Sequence, residues 1–213
     1  MTIKETNQLK LLYFALPSIQ KRLQAEIGSE NPDKDVVFEL GSTVQFVIEH
    51  FGSTMTRLRE LPKSYIEFDI LWTIYPKHIM VHGSDQLGQD QVYRVKQSGY
   101  GKNQDGSVFF SIYLEYLDSN GKQLGYVIRG PQRIDSFHGS RLIFDLPVVP
   151  FESQPHYEKL REELVLRGEK ILRLHGRHLQ DYQGHAVEED ERKEKTYKKF
   201  NVSHVLPAFS RFI

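Results

Sequence analysis

The strongest constraint on the fold is an alternation of side chains over residues 108–116. One set comprises Val108, Phe110, Ile112, Leu114 and Tyr116, and the other comprises Phe109, Ser111, Tyr113 and Glu115. A period of two places the two sets on opposite faces of a β-strand. The pair Asn120-Gly121 follows directly and is the strongest short signal for a hairpin turn. We therefore predict a strand that turns back at this pair into a second strand over 123–129.

Other short segments around this hairpin also have the composition of strands. They cover residues 78–82, 91–96, 134–138 and 141–144. Strands joined by short turns form antiparallel sheets. The segments together predict an antiparallel meander of five or six strands, forming a curled sheet or a partly open barrel.

Helical spacing dominates the chain before this meander. The first stripe is Leu16, Ile19, Leu23 and Ile27, and the second is Val44, Val47, Ile48, Phe51, Met55 and Leu58. Pro17 suits a first helical turn, Gly28 a helix end, and Gly52-Ser53 a kink or restart. Ser64 and Glu67 stand at capping-box spacing and predict a short helix that buries Trp72. The same stretch also fits a strand over residues 68–74.

The end of the chain returns to helix and strand. Ser153 and Pro155 predict the start of a helix that covers the sheet, with Gly168 allowing another backbone to approach closely. A short strand over 180–186 follows. We predict one α+β domain over 1–187, with a helical part at 1–76 and a β-rich part at 77–187. A charged connector at 188–199 and a C-terminal strand with an apolar tail at 200–213 complete the predicted organisation.

The composition narrows the classes of partner and location. Lys and Arg number 28, as do Asp and Glu, so the basic excess typical of nucleic-acid binders is missing. The chain has no cysteine, which excludes disulfides and thiolate metal sites. No run approaches the roughly 20 apolar residues of a membrane helix. We expect an intracellular protein, in the cytoplasm or nucleus, without a membrane partner.

Motifs for catalysis are not evident in the sequence. The phosphate-binding loop and the nucleophile elbow do not occur. His175, His178 and His185, with Asp181, have conceivable metal-ligand spacing. We favour hydrogen-bonding histidines, and we predict no catalytic residue, cofactor or metal. A small metal-dependent hydrolase using the three histidines is the alternative. A nucleic-acid-binding module through Phe109, Tyr113 and Tyr116 is a third hypothesis.

Four motifs occur in order from about residue 60 onward. Their positions are Phe68, Asp69, Leu71, Trp72 and Pro76; Ile134, Phe137 and Gly139; Arg167 and Gly168; and Tyr182, Gly184 and Ala186. Together they resemble an uncharacterised domain found ahead of AAA-type ATPase domains in filamentous fungi. The resemblance implies a non-catalytic binding or regulatory module that contacts a protein partner or a downstream ATPase domain. We interpret the motif residues as mostly structural, because glycines and aromatics at such places form turns and packing contacts.

Overall fold

The fold comprises two compact units. The computed structural model describes residues 3–84, 88–119, 124–173, 178–189 and 195–206. The first unit consists of Met1–Ile70 with Gly139–Arg141, and the second consists of Leu71–His138 with Leu142–Ile213. The α+β class, with N-terminal helices, antiparallel sheets and a later helix, is confirmed. The division into one domain and a connector stays a prediction.

The first unit begins with a long helix, α1, at Ile3–Ile27. Pro17 lies inside this helix, so its predicted place in the first turn is wrong. The apolar spacing of Leu16 continues upstream through Leu9 and Leu12, which are half-buried, and the helix extends with it. A proline removes only one backbone hydrogen bond, and the surrounding turns maintain the helix.

The second helix, α2, spans Lys34–Glu60. Its N-terminus is capped by Asp33, whose side chain accepts hydrogen bonds from the backbone N–H groups of Asp35 and Val36. Val47 and Phe51 are buried, and the Phe51 ring lies 5.4 Å from the Tyr13 ring of α1. The helix continues through residues 52–53, so the predicted restart there is wrong. Favourable packing of the apolar stripe outweighs the low helix propensity of one glycine.

The predicted short helix after α2 is a 3-10 helix that begins after the expected capping box, with a short strand before it. Strand β1, Tyr65–Glu67, leads into a 3-10 helix at Phe68–Thr73. Ser64 has a positive φ of 66°, which is not an N-cap conformation. Arg57 Nε donates to Glu67 Oε2 at 2.7 Å. The Glu67 carboxylate therefore pairs with an arginine of α2 and does not form a capping box. β1 pairs with β6, Ser140–Leu142, in a two-stranded sheet.

The second unit contains a five-stranded antiparallel sheet that is not closed into a barrel. Its strands are β2 (Met80–Ser84), β3 (Asp90–Lys102), β4 (Val108–Ser119), β5 (Leu124–Asp135) and β7 (Val149–Pro150). The order across the sheet is β5-β4-β3-β2-β7, so β2 to β5 form the predicted antiparallel meander. The predicted strand at 141–144 is not part of it, because β6 pairs with β1 instead. The predicted strands 123–129 and 134–138 are one strand, because a bulge at residues 130–131 absorbs the extra residue. Residues 120–121 lie outside the described residues.

One face of this sheet forms the main core. Phe110, Ile112 and Leu114 of β4 are fully buried, as are Val81, Tyr93 and Val95 on the neighbouring strands. Tyr75 is also buried, and its hydroxyl donates to the backbone oxygen of Val148 at 2.5 Å. Burial raises the pKa of this phenol well above its ordinary value. Trp72 is buried, as predicted.

The last elements are helix α3, Tyr157–Arg173, and strands β8, His178–Glu189, and β9, Lys195–Leu206. A Cβ at Gly168 would meet no atom within 4 Å, so the predicted close backbone approach is wrong. β8 and β9 pair with each other in a separate two-stranded sheet. The C-terminal strand therefore does not extend the main sheet. Both strands reach into residues 188–199, which were predicted as a charged connector.

Candidate interaction surface

The second face of the five-stranded sheet carries large side chains that remain exposed to solvent. Tyr113, Glu115 and Leu117 alternate along β4 with the buried core residues and therefore share this face. Cross-strand register adds Ile128 opposite Glu115 and Tyr126 opposite Leu117. We call this the outer face and define it by its members. They are Met80, Arg94, Tyr113, Glu115, Leu117, Leu124, Tyr126 and Ile128.

An ion pair lies at the centre of the outer face. Arg94 Nε donates to Glu115 Oε1 at 2.7 Å, and the guanidinium carbon lies 3.9 Å from the centre of the Tyr126 ring. Glu115 is only 8% exposed, whereas Tyr126 is 56% exposed. The arginine thus joins a nearly buried carboxylate to an exposed aromatic ring. The two charges cancel, which leaves a mostly apolar surface with a fixed polar centre.

The edge of the sheet beside this face is also apolar. β5 is the last strand in the order β5-β4-β3-β2-β7, and residues 124–128 are all exposed. This segment, Leu-Gly-Tyr-Val-Ile, contains no charged residue or proline. Edge strands of soluble proteins usually carry lysine, proline or a bulge that prevents pairing with another chain. Here the bulge and Pro131 protect only the later part of the strand.

A second cluster on the same face surrounds Phe109. The guanidinium carbon of Arg133 lies 4.1 Å from the centre of the Phe109 ring. Arg133 also donates to Asp135 at 2.7 Å and to the Asn103 side chain at 2.9 Å. A Cβ at Gly101 would lie 2.5 Å from Phe109 Cζ, so only glycine lets this ring lie flat on β3. These contacts fix the position of the Phe109 ring on the sheet.

A histidine with two ring partners lies at the start of the sheet. His82 Nε2 lies 2.8 Å from Asp90 Oδ1, and His82 Nδ1 lies 3.1 Å from Gln154 Nε2. Arg167 Nη2 donates to the backbone oxygen of Asp90 at 2.6 Å. Both ring nitrogens of His82 are engaged in polar contacts with side chains. Such a ring orients its neighbours and has no nitrogen left to deprotonate a nucleophile in this arrangement.

Three histidines and one aspartate have the spacing considered above for a metal site. His175 lies outside the described residues, and the backbone places His178, Asp181 and His185 in β8. Within the part of the chain that the structure describes, no group of three or more His, Asp or Glu side chains could hold a metal ion. None of the helices in that part is long and apolar enough to span a membrane.

The three aromatic residues proposed to stack on bases do not share one surface. Tyr113 lies on the outer face and is exposed, and Phe109 lies on the same face beneath Arg133. Tyr116 lies on the opposite face, where its ring centre is 6.0 Å from that of buried Tyr93. A stacking platform requires neighbouring rings on one accessible face.

The four motifs lie on different elements of the structure. Phe68, Leu71, Trp72 and Ile134 are buried, and Gly139 adopts a positive φ of 71° in the turn before β6. Asp69 Oδ2 lies 3.7 Å from Arg57 Nη2. Tyr182, Gly184 and Ala186 lie in β8, which pairs with β9 without a register break.

The sequence motifs did not reveal the outer face. Its central residues, Arg94, Tyr126 and Ile128, belong to no motif that we singled out. One signal was available: both strands beside Asn120-Gly121 carry large apolar residues on the positions opposite the core set. A two-faced apolar strand indicates either two covered faces or an exposed binding face.

The fold and surface define an α+β protein with an open antiparallel sheet and an uncovered apolar face. The model of one protein family, described as a domain of unknown function (DUF7025), matches residues 56–155. This segment includes strands β1 to β7, and the prediction of an uncharacterised domain is confirmed for it. Its place ahead of an AAA-type ATPase domain stays a prediction. No curated protein and no solved structure matches the chain.

Proposed function

We propose that this chain is a non-catalytic binding or regulatory module that docks an apolar surface of a protein partner on the outer face. The observation that carries this proposal is the exposure of Tyr113, Leu117, Tyr126 and Ile128 around a half-buried ion pair. Contiguous exposed apolar patches on soluble proteins mark interaction sites. Tyrosine and arginine are also enriched where interfaces have their strongest contacts.

The charges of the outer face favour a protein over a phosphate-bearing partner. Arg94 is neutralised by Glu115, and the whole chain has a net charge of zero. A nucleic acid or an anionic membrane would need unpaired cations at the contact. The resemblance to domains that precede ATPases favours an ATPase domain as the partner, in a fungal and intracellular setting. The metal-dependent hydrolase and the nucleic-acid module stay hypotheses from the sequence.

The test is an affinity comparison that keeps strand β5 intact. The double variant Tyr113→Ser/Leu117→Ser removes two exposed apolar side chains from β4, and Val165→Ser/Leu166→Ser removes two from α3 as a matched control. Partners captured by the wild-type chain are purified and titrated against all three proteins. We expect roughly tenfold or more weaker binding for the β4 variant, as for loss of interface anchors, and unchanged binding for the control. Equal binding by all three proteins would refute the proposal.

A further inference from the structure

We propose that strand β5 pairs with β5 of a second copy of this chain. The two strands run antiparallel, with Val127 opposite Val127 of the second copy on a twofold axis. The two five-stranded sheets then become one continuous sheet, and the two outer faces become one surface. This inference goes beyond the proposed function, because it concerns the edge of the sheet and needs no other partner.

The first argument is the chemistry of the edge itself. In an antiparallel pair, alternate residues of an edge strand direct their backbone N–H and C=O groups away from the neighbouring strand. Over residues 124–128 this edge is exposed and uncharged. An edge of that kind is a template for pairing with another strand. Pro131 lacks an N–H group, so the available segment ends at residue 130.

The second argument is that this segment is self-complementary. Pairing about Val127 places Tyr126 opposite Ile128, an aromatic and β-branched pair that stabilises sheets. It places Arg129, the one charged residue of 124–130, opposite Gly125 of the second copy. Like charges therefore never face each other. Pairing about Ile128 instead would bring Pro131 into the ladder opposite Gly125.

The third argument concerns charge on the core side of the sheet. Gly125 pairs with Asp118 of β4. The Cα atom of Arg129 of the second copy would lie two strands from that of Asp118, at roughly 10 Å, with no side chain on the glycine between them. Its guanidinium contacts the Tyr93 hydroxyl and the Ser84 carbonyl of its own copy, away from the shared edge. The charged residues that this register brings nearest on the core side are therefore opposite in sign.

A cysteine crosslink tests the register directly, because the chain contains no cysteine. Residues directly opposite in an antiparallel pair have Cα atoms about 4.5–5.5 Å apart, which suits a disulfide. We expect Val127→Cys to form a covalent dimer under mild oxidation. Val165→Cys, at an exposed position on α3, is the matched control and should stay uncrosslinked. The wild-type chain should sediment at twice the mass of one chain.

A charge exchange tests the same axis without covalent chemistry. Val127 is 36% exposed, so Val127→Lys and Val127→Glu can solvate their charges in a folded monomer. Each variant alone should be monomeric, and an equimolar mixture should restore the dimer. Wild-type chain that remains monomeric to about 100 µM would overturn the proposal. So would a Val127→Cys variant that does not crosslink, or a mixture that stays monomeric. These outcomes require no partner, so they are independent of docking on the outer face.

Discussion

Arg94 and Glu115 form an ion pair across neighbouring strands, with 2.7 Å between Nε and Oε1, on a face where the adjacent apolar side chains are exposed. We predict that Arg94→Met lowers the free energy of unfolding by about 1–3 kcal/mol, because it leaves a nearly buried carboxylate without its donor. The double variant Arg94→Met/Glu115→Leu should recover most of this loss. Urea unfolding of the four proteins in a double-mutant cycle measures the coupling. Additive effects would show that the pair contributes no coupling.

The buried phenol of Tyr75 should cause the protein to lose stability at alkaline pH. Burial raises the pKa of its phenol, so the folded state binds this proton more tightly than the unfolded chain. The contribution is fully present below the ordinary tyrosine pKa of about 10 and is lost as the pH rises above that value. Tyr75→Phe should cost about 1–2 kcal/mol at neutral pH, because the Val148 carbonyl loses its donor. The variant should also weaken the alkaline decline in stability. An identical alkaline decline in both proteins would contradict this assignment.

A side chain at position 101 should clash with Phe109, whereas a side chain at position 99 of the same strand should not. Gly101→Ala would place a methyl group 2.5 Å from the Phe109 ring, which Arg133 covers. We expect a loss of about 1–3 kcal/mol in the free energy of unfolding, as overpacking causes. Gly99→Ala, in the same strand, would meet no atom within 4 Å and is the control. Thermal unfolding of both variants measures the difference, and equal midpoints would contradict the geometry.

Burial of Trp72 in the 3-10 helix should make a large contribution to the free energy of unfolding. The side chain is buried in the second unit, next to the fully buried Leu71. Trp72→Ala should lower the free energy of unfolding by about 3–5 kcal/mol, because a large side chain leaves a cavity. Denaturant titration followed by circular dichroism measures this loss without the tryptophan signal. A loss below about 1 kcal/mol would mean that the site collapses or that the side chain is not packed.

Local patterns predicted most of the strands and the α+β class. The alternation at 108–116 located β4, because a half-buried strand imprints its period of two on the sequence. The start of the short helix in the segment at 64–75 was misassigned, because Glu67 could form either a capping box or an ion pair. Only the fold brings Arg57 within 2.7 Å of Glu67. The pairing of β9 with β8 could not be predicted from the sequence, because strand pairing depends on which neighbouring strands have free edges in the folded chain.

The candidate surface was harder to predict for a related reason. Tyr126 and Ile128 fit a buried strand as well as an exposed one, since hydrophobicity does not distinguish a covered face from an uncovered one. The distinction depends on what packs above β4 and β5. Arg94 likewise had no sequence signal, because its partner Glu115 is 21 residues away. Its role follows only from the register that aligns β3 with β4.

The most direct test of the docking face is hydroxyl-radical footprinting of the chain with and without its purified partner. The oxidation rates of Tyr113, Leu117 and Tyr126 on the outer face are compared with that of Leu166 on α3, all of which are exposed in the free chain. We predict that the partner lowers the oxidation of the three outer-face residues severalfold and leaves Leu166 unchanged, because buried anchors are shielded from solvent. Unchanged oxidation of the outer face, with protection elsewhere on the chain, would contradict the account.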